Sequence, residues 1–509
     1  MKNTAAITAQ SLITSTALLA LTSHAVWAQE ATDARRGWII EPSVSLRQTF
    51  TDNQRLQTVK ESDSITEGSV GVRIGSTGGS VRGYVDYSLT GSAYARNDSA
   101  NELRHFLSAA VTAEVIEGQG FIDMRGSYTQ QAVSAFGSQS ATPGLSERNR
   151  ADVGSLAVSP YLRGRLGGPL RYEARLSLET TRAKGSDAAD VDNGAATLHL
   201  DSGGSGAALG WTADASHNVS DFRAGRRTFD TRLRAGVTYA LNREFKLGLT
   251  AGIERTDTLS LDGESNHTWG LQGDWTPDER TSLSANVEKR FFGNSHAVRF
   301  AHRTPTTAWA LSDSRDISTS SSQGNASFGS AYDLFFRQFA STEPDATKRD
   351  VLVRNYLLTN GINPNTVVIG GFLASAATLQ RAQQASVALV GVRNTVTLQA
   401  SSSRSERADK VSSAIDDLSS AREVRQHGVS LDWALRLTPL SSINVAGSYQ
   451  RSGGDVSSQQ TTLKAITTTW NAPLGARSTM SAGARHAVFD STTAPYTEYA
   501  LFGAIRLSF

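Results

Sequence analysis

The sequence predicts an all-β fold: a transmembrane antiparallel β-barrel of about 22 strands, roughly 20 to 24 and even in number, with one helical insertion. Three observations carry this. The chain alternates apolar and polar residues with period two over most of its length. Its connections alternate between tight turns and long polar links. It opens on a short apolar stretch of the kind that directs export. The mean hydropathy of −0.30 is that of a water-soluble protein. Only a barrel, whose strands hide one polar face each, reconciles that value with a membrane.

The leader comes first. Lys2 precedes the apolar run Ser11 to Leu21, and Val26 and Ala28 supply small residues at the −3 and −1 positions of a signal peptidase site. Residues 1–28 read as a signal peptide, because the run is too short for a spanning helix. Its removal leaves 509 − 28 = 481 residues, 29–509, assigned to the barrel. The formal charge of +2 then becomes +1. Near neutrality argues against nucleic acid as a partner. Zero cysteines exclude disulfides, thiolate metal sites and a cysteine nucleophile.

The strands follow from side-chain alternation. Leu170, Tyr172, Ala174, Leu176 and Leu178 share one face, with Arg171, Glu173, Arg175 and Glu179 on the other. Phe229, Leu233, Val237 and Tyr239 oppose Asp230, Arg232 and Arg234, and Phe245, Leu247, Leu249 and Ile253 oppose Glu244 and Lys246. Val429, Leu431, Trp433 and Leu435 oppose Asp432 and Arg436. These segments are long enough to cross a bilayer when tilted. Their charged residues are the expected lumen lining: Arg171, Glu173, Arg175, Glu179, Asp230, Arg232, Arg234, Glu244, Lys246, Asp432 and Arg436. Mixed signs predict paired charges and weak ion selectivity.

Turns set the topology. Tight ones are expected at Ser76–Gly79, Glu117–Gly120 and Leu241–Glu244, and proline-bearing ones at Trp275–Arg280, Leu437–Ser441 and Trp470–Gly475. Trp275 and Trp470 are placed at the membrane–water interface. Long polar links are expected at Ser134–Arg150, Ala183–Asn193 and Ser401–Arg422. From 330 to 384 the period shifts to about 3.6. Tyr332, Phe335, Phe336 and Phe339 suggest one short helix, Val351, Leu352, Tyr356 and Leu357 a second after Pro344, and Phe372–Arg381 a third. This insertion could plug the lumen, gate it, or cap the outside.

The chain ends on an amphipathic strand whose face Tyr499, Leu501, Ile505, Leu507 and Phe509 closes on a terminal Phe. It resembles the signal recognised by the barrel-assembly machinery of Gram-negative bacteria. A second resemblance lies in Trp38-Ile39-Ile40-Glu41-Pro42-Ser43-Val44-Ser45 with Thr51-Asp52-Asn53, in Trp275-Thr276-Pro277 with Arg290-Phe291-Phe292-Gly293, and in Gly391-Val392-Arg393-Asn394. Together these resemble an outer-membrane family associated with the PEP-CTERM/exosortase system and exopolysaccharide loci. The resemblance implies a barrel of the Gram-negative outer membrane serving polysaccharide export as conduit or docking component. It transfers no functional residues. The expected partners are outer-membrane lipid and lipopolysaccharide, the assembly machinery, and, through the arginine-rich basic residues, acidic polysaccharide with periplasmic export proteins. The alternative reading is a general or substrate-specific diffusion porin, followed by an outer-membrane enzyme or an adhesive structural barrel.

No catalytic or cofactor motif stands out: there is no Gly-x-Ser-x-Gly elbow and no His-Glu-x-x-His. The expectation is a non-enzyme without cofactor or structural metal. Gly204-Ser205-Gly206 lacks the following helix a phosphate loop needs. His199, His217 and His427 read as solvated, and Asp187, Asp190 and Asp192 as an acidic loop in preference to a calcium site.

Overall fold

The computed structural model describes residues 37–509 except 77, 98–99, 143–144, 146–148, 187–189, 203–207, 321, 410–415 and most of 324–370. The leader expected at 1–28 lies outside the described residues. From Ile39 to Phe509 the chain forms one unit.

Its strands, in chain order, are β1 (Trp38–Thr51), β2 (Asp63–Ser76), β3 (Val81–Tyr94), β4 (Glu102–Ile116), β5 (Gly120–Ala132), β6 (Arg150–Arg165), β7 (Arg171–Lys184) and β8 (Val191–Asp201). Then come β9 (Leu209–Phe222), β10 (Arg227–Ala240), β11 (Phe245–Thr256), β12 (Glu264–Asp278), β13 (Thr281–Arg290), β14 (Gly293–Arg303) and β15 (Thr307–Ser318). A short pair, β16 (Ser322–Gln323) and β17 (Phe372–Leu373), stands apart from the main sheet. The rest are β18 (Thr378–Val390), β19 (Asn394–Arg407), β20 (Glu423–Thr438), β21 (Ser441–Gly453), β22 (Thr461–Gly475), β23 (Ser478–Ser491) and β24 (Tyr496–Ser508).

All but the short pair form one 22-stranded antiparallel sheet. Pairing of β1 with β24, from Ser43↔Ser508 to Thr51↔Ala500, closes it into a barrel without an edge. At the seam, buried Arg485 and Glu498 form a two-point pair of 3.1 and 2.7 Å, and Thr51 Oγ1 donates to the same carboxylate.

Alternation produces two unlike faces. Leu233, Val237, Tyr239, Leu247, Leu249 and Ile253 are all exposed on the outer skin. Arg232, Arg234 and Glu254 lie on the inner face between them and make ion pairs there. An apolar exterior with charge inside is the arrangement a bilayer selects. The assembly-signal face behaves likewise: Tyr499, Leu501, Ile505, Leu507 and Phe509 are exposed on the outside.

Tight turns gather at the end holding both Trp38 and Ser508. At one of them the Asn242 side chain accepts from the Glu244 and Phe245 amides at 2.9 and 2.7 Å. Gly79 and Gly118 take φ of +74° and +67°, which only glycine adopts freely. Outward Trp211, Trp275, Trp309 and Trp433 sit in the half of the barrel towards this end, as an interfacial girdle requires. The opposite end carries the longest links, although β9–β10 and β23–β24 are joined there by four residues each, and β13 and β14 by Phe291 and Phe292 alone.

Four expectations are corrected. Phe372–Arg381 is not a helix: Phe372 and Leu373 form β17, and Thr378–Gln384 belong to wall strand β18, so the insertion ends before Thr378. The link expected at Ser401–Arg422 is shorter, because β19 runs on through Arg407. Pro473 lies within β22 beside a register shift, so the turn falls at Ala476 and Arg477. Glu244 is not a wall residue, since it sits in the exposed β10–β11 turn where no strand aims it at the lumen.

Candidate functional site: the inner wall and the insertion

The inner face joins Arg171, Arg232 and Arg234, with Asp230 beside them, into one chain of charged contacts. Near the loop end, Asp316 of β15 pairs with Arg290 of β13, and Arg290 with Glu254 of β11. Glu254 takes Arg232 of β10 at 3.2 Å, and Arg232 approaches Glu288 at 3.8 Å. Glu288 reaches Arg234 at 3.6 Å, and Arg234 reaches Asp214 of β9 at 3.1 Å. Asp214 holds His199 of β8 at 2.6 Å, His199 lies 3.5 Å from Asp201, and Asp201 pairs with Arg171 of β7 at 2.8 Å. Arg171 starts its strand at the turn end, whereas Arg290 ends its strand at the loop end. The ladder therefore descends obliquely along the whole wall.

It is driest at the top. Glu254 has no exposed side-chain surface and Arg290 has 6%. A carboxylate that far from solvent persists charged only with cations at hand, and two arginines flank it. Asp230 lies 3.7 Å from Arg290. Lower down, Arg175 pairs with Asp123 at 2.7 Å and Glu173 at 3.2 Å. Glu179 and Lys246 are exposed, Asp432 is buried at 6%, and Arg436 is half-buried. His199 is thus part of the ladder, whereas His217 bonds Thr231 on the outer face.

The described residues of the insertion meet this inner face. Tyr332, Phe335 and Phe336 are helical, as are Arg349, Asp350 and Leu352–Arg354. Phe335 and Val353, both fully buried, cluster with Ala308, Ala388 and Ala434, and Tyr332, Phe336 and Phe339 pack against them. Those alanines neighbour Trp309, Leu389 and Trp433, which are exposed on the outside, so the alanines look inward. Small residues on β15, β18 and β20 leave room for the aromatic helix. Towards other strands, Asp350 takes Arg73 of β2 at 3.4 Å, and Arg354 stacks over Tyr84 of β3 at 5.9 Å. Burial and the Asp350 carboxylate push the Tyr332 hydroxyl above its ordinary range, which keeps it protonated and donating to Asp350. Apart from Phe339, the rest of 330–370 lies outside the described residues.

A second constriction lies at the loop end. The β5–β6 link sends Leu145 into a cluster with Leu56, Ile65, Tyr94, Leu463, Phe489 and Tyr496, which belong to β1–β3 and β22–β24 or their links. Tyr496 donates to the Gln139 carbonyl, and Gln450 to its side chain at 2.8 Å. The helix Asp417–Ser420 ties the same link down. Asp417 accepts from Ser134 Oγ and the Ala135 amide, both at 2.6 Å. Burial raises the Asp417 pKa, against the pull of those two donors.

In the acidic loop Asp190 pairs with Arg223 at 3.2 Å and Asp192 with Arg182 at 2.7 Å. Asp187 and Gly204–Gly206 lie outside the described residues. No group of three metal-capable side chains occurs among the described residues. Sequence reading placed charge on the wall, Glu254 included, but missed Glu288 and Arg290 and the burial that makes these three its centre. Their signal was the same alternation, in β11 and β13.

No family model matches the chain. No curated protein matches it either. Among solved structures it is similar to the siderophore receptor PirA from Pseudomonas aeruginosa, at 9% identity and TM-score 0.44 over 92% of this chain and 80% of that one. It is also similar to the FrpB iron transporter from Neisseria meningitidis, at 12% and 0.48 over 93% and 81%. PirA from Acinetobacter baumannii gives 8% and 0.46 over 92% and 80%. Likenesses this weak carry no argument about function.

Proposed function

We propose that the chain is an outer-membrane barrel that acts as a gated conduit or docking component for extracellular polysaccharide, with its own helical insertion as the gate. One observation carries the gate: Phe335 and Val353 pack on inward-facing alanines of β15, β18 and β20. The oblique ladder supports a path for a polar cargo. Its alternating guanidinium and carboxylate groups offer donors and acceptors to hydroxyls and acidic sugars along the wall. The polysaccharide itself rests on the family resemblance of the three quoted motifs. The reading involves no enzymatic step and no cofactor. A general sieve fits less well, since both the insertion and the β5–β6 link occupy space a sieve leaves open.

Deleting the gene from its host is expected to abolish secreted polysaccharide or trap it in the periplasm. Unchanged secretion refutes the cargo. Separately, removing residues 319–377 is expected to convert a closed or flickering protein in planar bilayers into a steadily conducting one. Equal conductance of both forms refutes the gate.

A further inference from the structure

The outer face is not uniformly apolar. Facing residues in antiparallel pairs share a side of the sheet, and at the loop end four arginines face one another in a row. Arg315 of β15 pairs in register with Arg381 of β18, Arg381 with Arg404 of β19, and Arg404 with Arg425 of β20. They point outward, as they continue the exposed series Trp309–Leu311 on β15 and Val429–Leu431 on β20. Each lies two or three residues from the loop end of its strand, beyond the apolar band. Like charges directly opposite one another destabilise a sheet unless something neutralises them.

Among the described residues the neutralisation is incomplete. Arg381 takes Asp313 at 2.9 Å, a carboxylate it shares with His296 at 3.2 Å. Arg404 takes Glu406 at 2.8 Å and Glu423 at 2.5 Å, and Arg425 shares Glu423. Arg315 reaches only the Asn294 carbonyl and the Phe292 ring. Four guanidiniums thus face three carboxylates. Between Arg315, Arg381 and Arg404, bordered on the loop side by Leu379 and Glu406, which face each other in register, opens a recess of about 280 Å³. The opposite end of the outer face carries tryptophans instead.

We infer that this arginine row is a binding site for the phosphate-bearing headgroup of an outer-leaflet lipid, with Arg315, Arg381 and Arg404 as its donors. Planar guanidiniums pair with phosphate oxygens at two points. The site's height above the apolar band places it where headgroups of a bilayer lie, with Leu379 and Glu406 on its loop side. The inference rests on the membrane-barrel reading, with the loop end towards the outer leaflet.

The test is native mass spectrometry of the detergent-purified full chain titrated with bis-phosphorylated lipid A, with its dephosphorylated form, and with inorganic phosphate. Wild type is expected to retain the phosphorylated lipid, R315Q/R381Q/R404Q to lose it by about tenfold or more, and R315K/R381K/R404K to fall between. R243Q/R280Q/R477Q removes equal charge at the turn end and is expected to bind as wild type does. Equal retention by the first variant and wild type overturns the site. Equal retention of the dephosphorylated lipid, or displacement of the lipid by millimolar phosphate, overturns the headgroup as ligand. A heat-sensitive shift on electrophoresis shows that each variant is folded, and its loss in wild type tells against the barrel instead.

Discussion

Replacing Arg290 by methionine probes the ladder where it is driest. Arg290 is 6% exposed and serves Glu254, Asp230 and Asp316 at once. Without it, Glu254 keeps only Arg232 at 3.2 Å while remaining wholly buried. Breaking one side of a buried pair costs about 3–5 kcal/mol, chiefly because the other charge stays behind uncompensated. The surviving arginine holds the expectation for Arg290→Met near the lower figure, about 3 kcal/mol. Removing both partners, as in R290M/E254L, is expected to restore most of that loss, since apolar replacement of a whole pair is near neutral. The assay is urea unfolding of the liposome-folded protein, followed by loss of the heat-sensitive electrophoretic form. The single variant's midpoint is expected at least about 1 M below wild type, with the double variant closer to wild type. A single variant as stable as wild type, or a double variant worse than the single, refutes the buried ladder.

Three further outcomes follow from the same contacts. Asp350→Asn weakens the tie to Arg73 and Arg354, and is expected to raise open-channel events in planar bilayers without lowering barrel stability. Asp417, whose folded pKa is raised by burial, holds its extra proton best in the folded state. Its contribution therefore weakens as pH rises past the ordinary carboxylate range. The protection of the Ala135 amide against hydrogen exchange, taken relative to its intrinsic rate at each pH, is expected to be lower at neutral than at acid pH, with Asp417→Asn flattening the change and an unaltered protection in wild type opposing it. Phe509 is 53% exposed and packs on little. Deleting its side chain (Phe509→Ala) is expected to lower outer-membrane yield severalfold in cells while leaving refolding into detergent intact, as a recognition signal requires.

The closed sheet was legible because bilayer and lumen impose opposite chemistry on alternate residues, as on β10, where Leu233 and Arg234 are neighbours with opposite fates. Legibility failed where that contrast fades. Through Arg404–Arg407 both faces are polar above the apolar band, so β19 reads as a loop. Phe372 to Ala377 is buried on every side, so no alternation marks β17, and a run of small residues imitates a helix. Pro473 suggests a turn, yet it sits in a strand because the register shift beside it absorbs its missing donor. The ladder was half legible: alternation marks which residues face inward, but partners such as Arg234 and Asp214 are chosen by strand register, which sequence alone leaves open.

The insertion's seat within the wall can be tested by a single cross-link. The chain has no cysteine, so Arg73→Cys with Asp350→Cys introduces the only two thiols. Their parent side chains lie 3.4 Å apart. A bis-methanethiosulfonate reagent long enough to replace the two lost side chains is expected to join them in the folded protein in membranes and to lock conductance low until reduction. Thiols that never join, or that join only after unfolding, place the insertion away from β2 and contradict the gate.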